Sequence, residues 1–223
     1  MTCRRSAAIE TVDIRSLNEF VLAELPAAPA RVLEVGCGNG ALARAVDGAG
    51  YEVLAIDPAA PDGELFRRIK LEELEEDERF DAVVAARSLH HVTDLDAGLD
   101  RIATVLRPGG VLVVDEHAWD RLDRTTAEWF HGQRRALAAA GRLPAAPATL
   151  DECCREWEDE HVGLHGYDAL RSALDARFRE RRFAWTATLY RFLDGVAAEE
   201  LERTLIEADA IQATGFRYVG ERR

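Results

Sequence analysis

Residues 31–57 have the sequence RVLEVGCGNGALARAVDGAGYEVLAID, and this stretch decides the fold class. RVLEV (31–35) and YEVLAID (51–57) are short runs of branched apolar residues, a pattern that predicts buried parallel strands. Between them, the glycine-rich turn GCGNG (36–40) leads into a helical segment that ends at Gly50. A strand, a turn, a helix and a second strand in this order form a βαβ unit with a right-handed crossover.

The alternation of strand and helix continues towards the C-terminus. DAVVAARSL (81–89) and VLVVDEHA (111–118) predict two further buried strands, and the segment between them has apolar residues at helical spacing. Residues 61–80 are compatible with one charged helix, or with a short strand at 69–71 followed by an acidic loop. We expect the strand, because the sheet needs a third strand at its edge.

Helical and mixed segments flank this core. An amphipathic helix from Asp13 to Leu25, with Asp13 as its N-cap, precedes the first strand. After Trp119, polar helical segments replace the alternation, whereas residues 179–193 and 216–223 have strand patterns. We therefore predict one domain, 1–223, in four parts: an N-terminal helix (1–30), a cofactor-binding core (31–118), a helical lid or substrate insert (119–180) and a C-terminal strand, helix and strand (181–223).

The composition limits the partners of the chain. Its 223 residues include 41 acidic and 28 basic side chains, a formal net charge of −13, which repels phosphate backbones. We therefore expect no nucleic-acid partner. The four cysteines have no CxxC spacing, and no stretch of about 18 apolar residues occurs. We expect a cytoplasmic protein with no membrane partner.

The glycine-rich turn and a following acid predict a nucleoside site. In an open α/β sheet, ligands bind at the carboxyl ends of the strands, where glycines let a ligand approach the backbone closely. Asp57 ends the second strand and can accept hydrogen bonds from both hydroxyls of a ribose. The GxGxxG pattern of dinucleotide sites is absent, and the sequence has ExGxG at 34–38 with a further glycine at 40.

Four motifs in order extend this prediction: VLEVGCGNG (32–40), LAID (54–57), FDAVVAARSLHHV (80–92) and LRPGGVLVVDE (106–116). Together they resemble the class I S-adenosylmethionine (SAM) dependent methyltransferases, in particular the small-molecule methyltransferase domains of types 11 and 12. The resemblance implies a Rossmann-like α/β fold: a seven-stranded, mostly parallel sheet with an antiparallel last strand, helices on both faces and a helical insert after the fifth strand. It also implies SAM as cofactor.

The resemblance assigns roles to individual residues. The glycine turn would wrap the methionine part of the cofactor, Glu34 would position its amino end, and Asp57 would hold its ribose. The chain departs from the family at 70–72, the adenine contact, where an aspartate-containing motif usually precedes that contact. The cofactor-binding residues predicted in this way are Glu34, Gly36, Cys37, Gly38, Asn39, Gly40, Asp57, Pro58, Leu71, Glu72, Ala86, Arg87 and His91.

Methyl transfer to a hydroxyl or another weak acid needs a general base. His117, Glu116 and His91 lie at or just after strand ends on the ligand side, and we predict them as catalytic candidates in that order. His90 is predicted to pack at the start of the next helix. We expect no metal site: 115–117 supply too few ligands that can be named, and glycines interrupt the helix that would pair His161 with His165.

The acceptor is predicted to be a small molecule. The insert would recognise it, and aromatic side chains there and nearby are candidates for an apolar lid: Trp119, Trp129, Phe130, Trp157, Tyr167, Trp185 and Tyr190. No NPPY-like turn follows the fourth strand, and the adjacent cysteines 153 and 154 lie far from it, which disfavours methylation of bases.

Two alternatives to an enzyme of this kind stay open. One is a non-catalytic module or dimer partner that binds SAM or S-adenosylhomocysteine (SAH) on a methyltransferase fold. The weaker one is a nicotinamide-dependent dehydrogenase, which the ExGxG spacing disfavours. We expect a monomer or a homodimer.

Overall fold

The computed structural model describes residues 12–13, 15–75 and 79–223, and these form strands and helices in alternation. The strands are β1 (Arg31–Val35), β2 (Glu52–Ile56), β3 (Phe66–Arg67), β4 (Phe80–Ala86), β5 (Leu106–His117), β6 (Phe178–Thr186) and β7 (Gly215–Arg222). The helices are α1 (Leu17–Glu24), α2 (Ala41–Gly48), α3 (Leu95–Val105), α4 (Arg124–Ala139), α5 (Leu150–Glu160), α6 (Tyr167–Arg177) and α7 (Val196–Glu207).

Within the described residues, the strands form a seven-stranded sheet in the order β3-β2-β1-β4-β5-β7-β6. The pairs from β3 to β5 are parallel, and β7 runs antiparallel to both β5 and β6. The predicted sheet with an antiparallel last strand is therefore confirmed, as is the helical insert, because α4, α5 and α6 lie between β5 and β6. The strand order reverses between β1 and β4, so a crevice forms at their carboxyl ends.

Both faces of the sheet are covered, which explains why its strands are continuous apolar runs. Along β1, Leu33 and Val35 belong to one buried apolar cluster, whereas Val32 belongs to the cluster on the other face. Successive side chains of a strand point to opposite faces, so a strand covered on both sides needs apolar residues throughout. Leu99 of α3 packs in the first cluster and Phe20 of α1 in the second.

The third strand lies earlier in the chain than the sequence pattern predicts. The prediction of a strand at 69–71 is wrong, because β3 pairs Phe66 with Ala55 and the chain then turns into a 3-10 helix at Leu71–Glu73. Leu71 is buried in the apolar cluster on the α3 side of the sheet. A residue anchored below the sheet cannot continue an edge strand. The end of the acidic run, 76–78, lies outside the described residues.

Two other element boundaries also differ from the predictions. The first helix begins after Ser16, whose hydroxyl accepts a hydrogen bond from the Glu19 N–H, while the Glu19 carboxylate accepts one from the Ser16 N–H. Asp13 is therefore not its N-cap. The strand predicted through 179–193 ends at Thr186 and is followed by a 3-10 helix at Leu189–Phe192.

Asp13 instead joins a buried ion cluster that fastens the N-terminal segment to the sheet. Arg217 of β7 is 3% exposed. It donates from Nε to Asp115 Oδ2 of β5 at 2.8 Å and from Nη1 to the Arg15 carbonyl at 2.8 Å, and it lies 3.0 Å from Asp13 Oδ1. Burial opposes ionisation of Asp13, but hydrogen bonds from Arg15 and the charge of Arg217 lower its pKa.

None of the helices in the described part of the chain combines the length and the apolar character that a bilayer span requires.

We predict that Arg217→Met will lower the free energy of unfolding by about 3–5 kcal/mol, because the substitution leaves the Asp115 carboxylate buried without its cation. Urea denaturation followed by circular dichroism will measure the loss. The matched control is Arg179→Met, since Arg179 is 67% exposed and pairs with Glu221 at the surface. Its effect should stay within about 1 kcal/mol. Equal losses in the two variants would contradict a special role for the buried cluster.

Candidate active site

A cavity of about 920 Å³ lies at the carboxyl ends of β1, β2, β4 and β5. It collects most of the residues predicted to bind a cofactor: Glu34, Gly36, Cys37, Gly38, Asn39, Asp57, Pro58, Leu71, Glu72, Ala86, Arg87 and His91. It also contains His117, which was predicted as a catalytic candidate. The two predicted residues outside its wall are Gly40 and Glu116. The sheet therefore brings residues from three of the four sequence motifs, together with His117, to one site.

The glycine turn after β1 lies against the end of β4. Gly36 has φ +75°, and a Cβ built on it would come within 2.2 Å of the Ser88 Cβ. Gly40 also has φ +75°, but its missing side chain makes room for the Phe66 ring, 2.5 Å from an added Cβ. Gly40 is the N-cap of α2 and does not line the cavity. Its contact with the cofactor stays a prediction, and its lack of a side chain lets β3 and α2 approach.

Asp57 has a carboxylate that is fixed in the wall of the cavity. Its Oδ2 accepts a hydrogen bond from the Gly38 N–H at 3.0 Å, and its Oδ1 accepts one from the Ala59 N–H at 2.7 Å. Each oxygen keeps a further lone pair, because a carboxylate oxygen accepts two hydrogen bonds. The arrangement suits a pair of neighbouring hydroxyls such as those of a ribose.

Glu34 is a buried acid in the same wall. It is 4% exposed, and its Oε2 has no hydrogen-bond partner among the described residues. Burial raises the pKa of Glu34 to about 7, and the charge of Asp57 adds to this, while the Ala43 N–H donates to the carboxylate and opposes it. A buried carboxylate with an oxygen that has no partner is costly for the folded state. It fits a cationic group such as the ammonium of a methionine moiety.

Glu116 lies behind the cavity, which corrects its prediction as a general base. It is fully buried; its Oε1 accepts hydrogen bonds from the backbone N–H groups of Ser88 and Leu89 at 2.7 and 2.6 Å. Its Oε2 accepts from the His117 N–H at 3.0 Å and lies 2.6 Å from His90 Nδ1. With these partners both oxygens act as acceptors, so His90 Nδ1 is the donor. Glu116 has no contact with the cavity and acts by holding other groups.

His117 is in the wall but is a weak base there. It is 6% exposed, and its Nε2 has no hydrogen-bond partner among the described residues. Burial lowers the pKa of His117 to about 3, and nearby positive groups, with His161 first among them, lower it further. The ring is therefore neutral at physiological pH. His91, the third predicted candidate, is exposed at the cavity and contacts the His90 ring, with ring centroids 4.1 Å apart and planes tilted by 41°.

Comparison with known proteins agrees with this geometry. The family model described as a methyltransferase domain matches residues 9–157. The chain belongs to the methyltransferase domain family. Its fold also resembles the N-methyltransferase NodS from Bradyrhizobium japonicum WM9 in complex with SAH, with a TM-score of 0.52 at 15% identity, over 92% of this chain and 84% of that chain.

Curated relatives of this methyltransferase domain include two proteins named ubiquinone biosynthesis O-methyltransferase. The one from Bradyrhizobium sp. (strain ORS 278) is 38% identical over 97 residues, which cover 38% of this chain and 38% of the relative. The one from Nitrobacter winogradskyi (strain ATCC 25391 / DSM 10237 / CIP 104748 / NCIMB 11846 / Nb-255) is 34% identical over 181 residues, 72% of this chain and 65% of the relative. The matches thus span about two fifths to two thirds of these relatives.

The insert of this methyltransferase domain packs differently from the aromatic lid that the sequence predicts. None of the seven aromatic residues predicted as lid candidates lines the cavity. Trp157 and Phe130 pack in a separate apolar cluster, and Trp185 and Tyr167 pack in the core below the sheet. The aromatic side chain in the wall is Phe192, stacked on His117 with ring centroids 5.6 Å apart.

The remaining histidine and cysteine predictions have local structural explanations. His161 Nδ1 bonds to the Trp157 carbonyl at 2.6 Å, and His165 Nε2 bonds to the Val92 carbonyl at 2.8 Å, so their ring nitrogens have separate partners. In the described residues no group of three or more side chains is placed to hold a metal ion. Cys153 and Cys154 are free thiols in α5.

Three groups in the wall were not among the predicted site residues: His90, which was assigned to packing, and Arg191 and Phe192. His90 was visible as part of the HHV motif, and its link to Glu116 across 26 positions could have been suspected because both follow strand ends. Arg191 and Phe192 gave no signal, since the pattern around them is typical of a strand.

We predict that Glu34 makes the stability of the free protein fall as pH rises from 4.5 to 7. Its folded-state pKa, about 7, lies above its ordinary value of 4.5. The unfolded chain therefore ionises first, and the stability of the wild type relative to Glu34→Gln should decrease by about 1.4 kcal/mol per pH unit within that window. Urea denaturation of both proteins at pH 4.5, 5.5, 6.5 and 7.5 measures the difference. A constant difference across this range would show that Glu34 is not buried as described.

Proposed function

We propose that this protein is a SAM-dependent methyltransferase that transfers a methyl group to a small organic acceptor and releases SAH. The observation that carries the proposal is the placement of Asp57 and Glu34 in one cavity at the point where the strand order reverses. The Asp57 carboxylate suits the hydroxyls of a ribose, and the Glu34 carboxylate suits an ammonium group. The family membership and the bound SAH of a protein with the same fold support the same cofactor.

Different residues of the wall would bind different parts of the cofactor. Asp57 would bind the ribose hydroxyls, and the unpartnered Oε2 of Glu34 would bind the ammonium group. The backbone around Leu71 and Glu72 would flank the adenine, and Ala86 would border the methionine part. When bound, SAM supplies a methyl group on a cationic sulfur, and the protein contributes chiefly proximity and alignment.

His90 is the best-placed general base. It lies in the wall of the cavity, and its Nδ1–H is directed at the buried carboxylate of Glu116, 2.6 Å away. With the proton on Nδ1, Nε2 has a free lone pair that can accept the proton of an acceptor hydroxyl. The Glu116 carboxylate fixes this tautomer and stabilises the imidazolium that forms. His117 lacks such a partner, and its low pKa makes it a poor proton acceptor.

The acceptor is proposed to be a small molecule that enters beside Phe192 and the histidines. Relatives and solved structures of similar fold include an O-methyltransferase and an N-methyltransferase, so the fold is compatible with either acceptor atom. The net charge of −13 disfavours a nucleic-acid acceptor. Cytoplasmic localisation and a monomeric or homodimeric state remain predictions from the sequence.

We expect calorimetry to detect SAH binding to the purified protein and Asp57→Ala to weaken it by about tenfold or more, because the ribose loses hydrogen bonds to a charged group. Asp62→Ala is the matched control, since Asp62 is 93% exposed and pairs with Arg68 at the surface. Its SAH affinity should equal that of the wild type. Absence of SAH binding, or equal affinities for all three proteins, would overturn the proposed function.

We predict that His90→Gln will lower kcat for methyl transfer by about 10²- to 10⁴-fold, with SAH affinity unchanged, because proton removal is lost while the cofactor site is intact. The assay follows label from SAM into the small-molecule fraction of a cell extract. His131→Gln is the control, since His131 is buried in the insert and bonds to the Pro147 carbonyl.

Glu116→Gln should reduce kcat less than His90→Gln does and should alter the pH profile of methyl transfer. If His117→Gln abolishes transfer and His90→Gln does not, the base is His117. If the wild type binds SAH but labels nothing, the protein is a binding module.

A further inference from the structure

Two arginines in the cavity have no anionic partner among the described residues. Arg87 follows β4, and Arg191 lies in the 3-10 helix Leu189–Phe192; both residues line the cavity. Arg191 Nε is buried and makes no hydrogen bond within the described part of the chain. Arg134, which is half-buried as Arg191 is, pairs with Glu156, whereas Arg87 is the more exposed of the two cavity arginines.

The absence of an ion pair at these two arginines does not come from a shortage of acids. Acidic residues outnumber basic ones by 41 to 28, so carboxylates that could pair with a surface arginine are abundant. A guanidinium group that loses part of its hydration without gaining a carboxylate is destabilising for the folded state. Such a cost is expected where the cation is reserved for a ligand. Arg87 adds backbone strain, because its φ of +55° is uncommon for a residue with a side chain.

The two arginines are close enough to influence each other and the acceptor side of the cavity. Burial lowers the pKa of Arg87, and the charge of Arg191 lowers it further, while the charges of Asp115, Tyr190 and Glu116 oppose the shift. Both cations also contribute to the low pKa of His117. The cavity is therefore divided in charge: the acids Glu34 and Asp57 lie by β1 and β2, and the arginines lie by β4 and the segment after β6.

We propose that Arg87 and Arg191 together bind an oxyanion of the methyl acceptor, so that the acceptor is a small organic acid with a flat apolar body. This inference rests on the proposed methyltransferase function. Planar guanidinium groups match the geometry of carboxylate and phosphate groups, and an apolar ring or conjugated chain packs against Phe192 beside Arg191. The Phe192 ring is 40% exposed and stacked on His117, which leaves a surface for such a body.

The cofactor is a second source of an oxyanion for the two arginines, because its methionine part ends in a carboxylate. The position of Arg191 favours the acceptor. It lies outside the four motifs of the cofactor core, between β6 and α7, next to Phe192, and its backbone N–H bonds to the Thr188 carbonyl. The two sources predict different effects of the same substitutions.

The test uses benzoate, phenyl phosphate and the neutral benzamide as probes, each titrated by calorimetry into the protein with and without saturating SAH. At least one of the two anions should bind the wild type about tenfold or more tightly than benzamide, which corresponds to about 1.4 kcal/mol. Arg87→Met and Arg191→Met should each reduce that preference at least about tenfold. Arg191→Met should also leave SAH affinity within about twofold of the wild type, because Arg191 lies outside the motifs of the cofactor core. Arg124→Met, whose side chain is 70% exposed on α4, should behave as the wild type does.

The outcomes separate the proposals. Equal binding of the anions and benzamide overturns the inference, as does an anion preference that survives both arginine substitutions. A loss of SAH affinity in Arg191→Met assigns this arginine to the cofactor carboxylate and also overturns the inference. Wild-type protein that binds no SAH refutes the proposed function, whereas the titrations without SAH still report on the anion site. Thermal unfolding followed by circular dichroism confirms that each variant is folded.

Discussion

The site depends on one buried carboxylate, that of Glu116 at the end of β5. Its two oxygens accept hydrogen bonds from three backbone N–H groups and from His90, and the backbone donors lie on two different segments. The carboxylate thereby fixes the chain that leaves β4 against the chain that ends β5. A buried carboxylate is tolerated only with such a set of donors. The position of Ser88, and hence of the glycine turn packed on it, follows from this arrangement.

The fold was largely predictable from sequence because its signals are local. Strands covered on both faces appear as continuous apolar runs, and β1, β2, β4 and β5 were all found in this way. The third strand was misplaced because β3 has only two residues, Phe66 and Arg67, and its position depends on pairing with β2. Asp13 was misassigned because its partner, Arg217, is about two hundred positions away along the chain. Local patterns contain no information of that kind.

The two parts of the site differed in how well they could be predicted. The cofactor side is built on turns directly after strands, so Asp57, Glu34 and the glycine turn were identifiable by position. The catalytic side depends on which way each side chain of β5 points. Glu116 continues the face of Leu112 and Val114, whereas His117 continues the face of Val111 and Val113. The sequence predicts this alternation but not which face contacts the cavity. The wall formed by Arg191 and Phe192 was missed because tertiary packing ends β6 early and curls the following segment.

The charged side chains inside the cavity lead to a different conclusion from the net charge of the whole chain. The net charge of −13 is a property of the whole chain, and it disfavours only large polyanionic partners. Inside the cavity, Glu34 and Asp57 form an acidic region that favours a cationic cofactor, and Arg87 and Arg191 form a basic region that favours an anionic acceptor. His90 lies in the same wall and would act on the hydroxyl or amine that receives the methyl group. The arginines would bind the oxyanion of the acceptor but would take no part in proton removal. The energy of this contact would therefore orient the reacting atom of the acceptor, and it would not stabilise the sulfonium charge that disappears in methyl transfer.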